Sequence, residues 1–363
     1  MIRKNNTIKL ALPLALALLL AIGLSACGLA AGTETTVINS GGQKKFEAEF
    51  IDLFDTLTQM VGYADNKDDF SVVANAVRDD LKIYHQLYDI YHSYPGVTNL
   101  RDINEQAGQG PVVVDPKIIK LLKYGQEIHT LTGSRVNIAM GSVLRIWHDY
   151  REQGMENPES AAVPDREELE AAARHTDIRD MIIDETHSTV ELRDPEMSLD
   201  VGAIAKGFAA EMAAQAAMAR GVGHLLLSVG GNVRAIGFRN QLNELWRAGI
   251  ENPDTAASEY LAIVSIHDLS VVTSGVYERY YEVNGIRYHH IIDPETLFPG
   301  NRFLSVTILT EDSGLADALS TALFNMSYED GLTLIASLED TYALWCFPDG
   351  SLKESPGFSA FIQ

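Results

Sequence analysis

The 363-residue sequence predicts an α+β fold in one large domain, with mixed or antiparallel sheets and packed helices. Strand-like runs gather on both sides of the helical stretches, and no regular β-α alternation links them. Residues 70–94 place Val73, Ala76, Val77, Leu81, Tyr84, Leu87 and Tyr88 on one helical face. Residues 224–229 form a continuous apolar run of the kind found in a central strand.

The N-terminus has a cationic start with Arg3 and Lys4, an uncharged run from Leu10 to Leu24, and then Leu24-Ser25-Ala26-Cys27. This closely resembles a bacterial lipoprotein signal, cut before a Cys27 whose thiol takes the lipid. A permanent membrane helix fits less well, because the run falls short of the ~20 residues that span a bilayer and no cations follow it. Residues 28–43 are rich in Gly, Ala, Thr and Ser, the composition of a flexible tether. The expected layout is a signal at 1–26, a tether with lipidated Cys27 at 27–45, and a single folded domain at 46–363, on the extracytoplasmic side of the membrane.

The domain opens on an apolar pattern of Phe46, Phe50, Ile51 and Phe54 and continues into the helix over 70–94. A polar link over 93–100 ends that helix, and a second is expected over 116–131, closed by Thr132-Gly133. In the apolar segment 136–150, His148 beside Trp147 reads as a structural histidine, and 151–165, with two prolines, reads as an exposed loop. A short helix over 166–175 leads to strands near 181–183 and 189–192. An apolar β-like run then ends at Gly202, and an alanine-rich helix over 208–220 stops at Gly221. Further strands are expected over 224–229, 233–238, 245–250, 261–266 and 269–273, followed by a hairpin turning at Asn284-Gly285. The last element is a helix reaching Phe324, capped by Asp312 or Ser313.

The formal charge is −22, and removal of a leader containing Arg3, Lys4 and Lys9 makes it more negative still. Such a surface repels nucleic acid and anionic headgroups, and it repels an anionic substrate unless a metal ion or local cation offsets the field. The only cysteine besides Cys27 is Cys346, so no internal disulfide is available once Cys27 is acylated.

Chemistry centres on the turn at 197–208. Two glycines frame a strand-to-helix turn whose unpaired amides, helix dipole and single cation, Lys206, suit a phosphate oxygen. The turn matches neither G-x-x-x-x-G-K-[ST] nor G-x-G-x-x-G, and tight chain reversal alone would also explain its glycines. Asp317 and Thr321 share a helix face opposite Leu315, Leu319, Ala322 and Leu323. They are hard-oxygen donors of the kind Mg²⁺ accepts, or else two polar residues on a wet face. His289-His290 lacks the spaced ligands of a zinc site, so general acid/base work is the better functional reading.

The ordered series Leu-Asp-x-Gly-Ala-Ile-Ala-Lys-Gly, Gly-Gly-Asn, Thr-Ser-Gly, His-Ile-Ile-Asp-Pro-x-Thr and Ala-Asp-Ala-x-x-Thr-Ala resembles the ApbE family of FAD:protein FMN transferases. The resemblance implies an enzyme that splits FAD and joins FMN through a phosphodiester to a Ser or Thr of an extracytoplasmic flavoprotein, releasing AMP. It implies Mg²⁺ at the Ala203 carbonyl, Asp317 and Thr321, and flavin-nucleotide contacts from Lys206 and His290. It further places Asn104, Val136, Asn137, Asp200, Thr273 and Ser274 about the nucleotide. His290 and Asp317 are the expected catalytic residues, His290 as a base titrating near working pH, with His289 on the opposite strand face. Two other readings stay open: an FAD pyrophosphatase yielding FMN and AMP, or a non-catalytic flavin-binding lipoprotein.

Overall fold

The computed structural model describes residues 43–254 and 258–363. The signal, Cys27 and most of the expected tether lie outside the described residues, although Lys44 and Lys45, placed in the tether from sequence, begin the first strand. That strand, β1 (Lys44–Leu53), pairs with β2 (Thr56–Ala64). Next comes α1 (Lys67–Tyr88), N-capped by Asn66, whose side chain accepts from Asp69 N–H. Its Phe70, Ala74, Val77 and Leu81 are buried at three- and four-residue spacing. The helix ends at Tyr88, earlier than expected, and the polar link leads into α2 (Leu100–Glu105), started by an Asn99/Asp102 capping box.

The chain continues through β3 (Val112–Val113), α3 (Pro116–Leu131) and α4 (Gly141–Glu156). Helix α4 corrects two expectations, since it covers much of the unassigned apolar segment and the first residues of the presumed loop. Its N-cap, Met140, has no side-chain capping bond; Gly141 N–H instead donates to Ser198 O at 2.9 Å. Then come α5 (Arg166–Ala172), β4 (Met181–Asp184), β5 (Thr189–Leu192) and α6 (Ala205–Ala219). The expected strand before Gly202 is absent. Ser198 forms a single bridge to Met140, and the Asn104 amide brackets Leu199, donating to its carbonyl at 3.0 Å and accepting its N–H at 2.7 Å.

Strands β6 (Leu225–Val229), β7 (Asn232–Ile236), β8 (Trp246–Glu251), β9 (Tyr260–Ile266) and β10 (Ser270–Gly275) follow. The hairpin β11 (Tyr280–Val283) and β12 (Ile286–His289) turns at Asn284 and Gly285, both at positive φ. After β13 (Ser305–Thr310) and α7 (Ser313–Phe324), the chain does not stop at its helix as expected. It adds α8 (Tyr328–Ala336), β14 (Tyr342–Cys346) and β15 (Leu352–Glu354).

The α+β expectation holds: the main sheet is antiparallel, in the order β1-β2-β6-β7-β10-β13-β14-β15. Its two faces are both covered. Val272, Val306 and Ile308 join the main core with α1, α6 and α7, while their neighbours Val271 and Leu309 point into a second core with Trp246, Ile250 and Phe358. Helix α6 lies deep because Ala209, Ala210, Ala213, Ala214 and Ala217 are too small to hold α1 and α7 away. Within it, buried Glu211 accepts from Arg234 Nε at 2.9 Å and from Ser313 N–H at 3.1 Å, which ties α6 to β7 and to the start of α7.

Candidate active site

A cavity of about 270 Å³ opens where the start of α6, α7, β10, α4 and the segment after β12 converge. Of the residues singled out from sequence, Val136, Asn137, Asp200, Ala203, Lys206, Thr273, Ser274, His290, Asp317 and Thr321 line it together. Asn104 does not. Both ends of its amide are occupied by Leu199, and it borders a neighbouring hollow of about 660 Å³. Asn104 thus shapes the turn from beneath. Asn137 is also engaged with the protein, donating to Thr176 O at 2.9 Å and accepting from Ala139 N–H at 3.0 Å. Val136 is buried, and its N–H donates to Thr132 Oγ1.

The turn is less open than its glycines suggest. Gly202 N–H donates to Asp200 Oδ1 at 2.8 Å, Ile204 and Ala205 N–H both donate to Val201 O, and Gly207 N–H donates to Asp317 Oδ2 at 2.8 Å. The expected set of unpaired amides is therefore corrected: the chain itself occupies these four, and Lys206 is the free-standing positive group of the turn that faces the cavity. Asp200, half-buried in the cavity wall, has its carboxyl pushed up by desolvation.

Asp317 departs from the wet-face alternative. It is 5 % exposed on a helix buried nearly all round, and the expected division of α7 into polar and apolar faces is lost because the sheet and α6 cover both. Burial raises its pKa, which Lys206, the Gly207 N–H and the neighbouring Asn232 amide partly counter. Asn232 Nδ2 is itself buried without a hydrogen bond of good geometry. The Asn232 amide is a donor and can serve only the carboxylate's charged form; it is the desolvated Asp317 carboxylate itself that a hard cation would relieve. Thr321 Oγ1 sits 3.3 Å from Ser274 Oγ, which also contacts Ser320 Oγ at 2.8 Å. Among the described residues no three His, Cys, Asp or Glu side chains converge on a metal position. A carbonyl, one carboxylate and one hydroxyl is instead a partial oxygen set that leaves room for water and phosphate, and the residues present fit Mg²⁺ in that sense. Thr273 pairs with Thr307 Oγ1 at 2.8 Å across the adjacent strand.

The two histidines separate as strand alternation requires. His289 turns inward, 5 % exposed, its Nε2 against Gly300 O at 2.6 Å and its Nδ1 accepting from Ile291 N–H. His290 faces the cavity with Nδ1 3.3 Å from Arg279 O. Burial, with Lys206 and Arg279 nearby, pushes its pKa down to about 3. The expectation that it titrates near working pH is thereby corrected: the resting imidazole is neutral.

Several lining residues escaped sequence reading. Helix α4 brings Trp147, His148 and Arg151 to the wall, and His148 stacks on Tyr91 at 5.1 Å while contacting Arg151 and Glu152. His148 borders the site rather than lying in a remote core, and its i, i+3 spacing from Arg151 on a helix is the signal that would have found it. Glu278 and Arg279 stand just beyond the Thr-Ser-Gly motif, separated from it by Val276 and Tyr277, and desolvation raises the Glu278 carboxyl.

Residues 54–345 match the ApbE family. The chain is 38 % identical to the FAD:protein FMN transferase of Treponema pallidum over 272 residues, covering 71 % of this chain and 73 % of that protein. It is 32 % identical to the FAD:protein FMN transferase of Klebsiella pneumoniae, with 75 % and 81 % covered. The crystal structure of the ApbE protein of Thermotoga maritima superposes with a TM-score of 0.76 at 29 % identity, covering 88 % of this chain and all of that one. The ordered motifs, the cavity on which they converge and a match running through both place this chain in the ApbE family.

Proposed function

We propose that this protein is a Mg²⁺-dependent FAD:protein FMN transferase that joins FMN through a phosphodiester to a Ser or Thr hydroxyl of a target flavoprotein and releases AMP. The observation that carries the reading is the convergence of Ala203, Lys206, His290, Asp317 and Thr321 on one cavity in a chain of this family. The Ala203 carbonyl, Asp317 and Thr321 would hold the metal, which would neutralise charge on the pyrophosphate. Lys206 adds a point charge for a phosphate oxygen in a protein whose overall charge of −22 otherwise repels anions. The acceptor oxygen forms a bond to the FMN phosphorus as the bond from that phosphorus to the AMP oxygen breaks. The hydroxyl proton passes to His290, whose neutral ring is in the accepting form. A bound pyrophosphate beside Lys206 and Arg279 offsets the cations that hold this imidazole down, so its proton affinity rises when substrate is present.

The lipoprotein-type leader supports anchoring through Cys27 with the domain on the extracytoplasmic side, where the target would also lie. Incubation of the protein with FAD, Mg²⁺ and a Ser/Thr-containing acceptor peptide, read by mass spectrometry, tests the reaction. A peptide carrying FMN supports transfer. Free FMN and AMP with unmodified peptide would identify a pyrophosphatase, and bound but intact FAD would identify a binding protein.

A further inference from the structure

The hairpin turn between β1 and β2 reaches the cavity with two consecutive non-glycine residues in the left-handed region, Phe54 at φ 54° and Asp55 at φ 50°. Two-residue turns of this shape favour Asn-Gly or Gly-Gly, and a bulky residue at positive φ persists only where its surroundings impose it. The imposing group is His85 on α1. Its Nδ1 accepts the Phe54 N–H at 3.1 Å, and its ring meets the Phe54 ring edge-to-face at 5.5 Å. A backbone N–H can only donate, so Nδ1 is the acceptor and the proton sits on Nε2. Nε2 lies 3.0 Å from the Tyr94 hydroxyl, which in turn donates to Asp89 Oδ2 at 2.7 Å. Burial opposes charge on Asp89, but Tyr94 and the N–H groups of Tyr91 and His92 hold its pKa below the usual range. The relay therefore runs in one direction, from Phe54 N–H through His85 and Tyr94 to a carboxylate.

The turn is also coupled to the metal-binding end of the cavity. Gly230 N–H donates to Leu57 O at 3.0 Å, and a Cβ on Gly230 would come within 2.6 Å of Thr56 Oγ1. Two residues beyond Gly230 stands Asn232, whose amide favours the ionised form of Asp317.

We propose that the His85–Tyr94–Asp89 relay is a positioning device that holds the Phe54–Asp55 turn in its left-handed form as one wall of the flavin-nucleotide cavity, so that His85 sets FAD affinity through Phe54. The inference rests on the FAD-dependent reading above. Titration of FAD with the protein, followed by flavin fluorescence, tests it without any acceptor. Tyr94→Phe, which keeps the ring and removes the hydroxyl, and His85→Leu should each weaken FAD binding by roughly 3- to 10-fold, the range expected for one lost hydrogen bond. His85→Asn restores an acceptor near Nδ1 and should recover most of the affinity. On an Asp55→Gly background the same two substitutions should matter less, because glycine adopts positive φ without external support. Affinity changes below two-fold in both Tyr94→Phe and His85→Leu, or equal losses with and without Asp55→Gly, would overturn the relay. Failure of the wild-type protein to bind FAD would instead overturn the functional reading on which it rests.

Discussion

Gly207 offers the sharpest test of the site's construction. It stands in the first turn of α6 where that helix crosses α7, and a Cβ there would lie 2.3 Å from Ser313 O and 2.4 Å from Asp317 Cβ. Because one of these atoms is backbone at the buried N-terminus of α7, relief requires the two helices to move apart. Overpacking of this kind costs about 1–3 kcal/mol. The same movement stretches the 2.8 Å bond from Gly207 N–H to the Asp317 carboxylate, and a hydrogen bond to a charged group contributes about 1.5–3 kcal/mol. Alanine regains up to about 1 kcal/mol of helix propensity, so Gly207→Ala should still lose roughly 2–5 kcal/mol. At this chain length, where 1 kcal/mol moves the midpoint by about 2 °C, that is a fall of about 4–10 °C in Tm. Circular dichroism melts read the shift, and FAD titration should show weaker binding because Lys206 precedes the displaced residue. An unchanged or raised Tm would show that α6 and α7 do not approach this closely and would remove the stated reason for a glycine there.

Mg²⁺ should raise the Tm of the wild-type protein by mass action and leave Asp317→Asn unmoved; equal shifts in both would reject Asp317 as a ligand. His290→Asn should slow transfer by roughly 10²- to 10⁴-fold, whereas His289→Asn should chiefly lower Tm, since both ring nitrogens of that buried residue are bonded. With the folded-state pKa of His290 down at about 3, its neutral form persists as pH falls through 6.5. The acid limb of kcat/KM should therefore lie well below that value, and a limb between pH 6 and 7 would contradict a resting neutral imidazole. Arg234→Met should cost about 3–5 kcal/mol by stranding Glu211, and the pair Arg234→Met with Glu211→Leu should recover much of it, which chemical denaturation can measure. Cys27→Ser should release or misprocess the protein; continued membrane retention of a correctly cut serine variant, seen by fractionation, would count against the lipid anchor.

What could be read from the chain depended on whether the determining contact was local. Helix α3 was legible end to end because Asp115, Pro116 and Thr132-Gly133 are signals within the segment itself, and the β11–β12 hairpin because Asn284-Gly285 supplies both positive φ values. Helix α4 was not, because its start lacks a side-chain cap and is held by Ser198, far along the chain. Asp317 could be placed on a helix face, but whether that face was wet depended on α6 packing through Gly207, so the residue proved to be both a buried structural acceptor and a cavity wall. The same division separates the two ends of the site. Lys206, His290 and Thr321 sit inside contiguous motifs and were found, whereas Phe54 and Asp55 adopt a turn for which their own side chains are poor choices. Among the described residues it is His85, 31 residues on, that accepts the N–H of that turn, and such a local conflict met at a distance is where a functional constraint is expected to leave its mark.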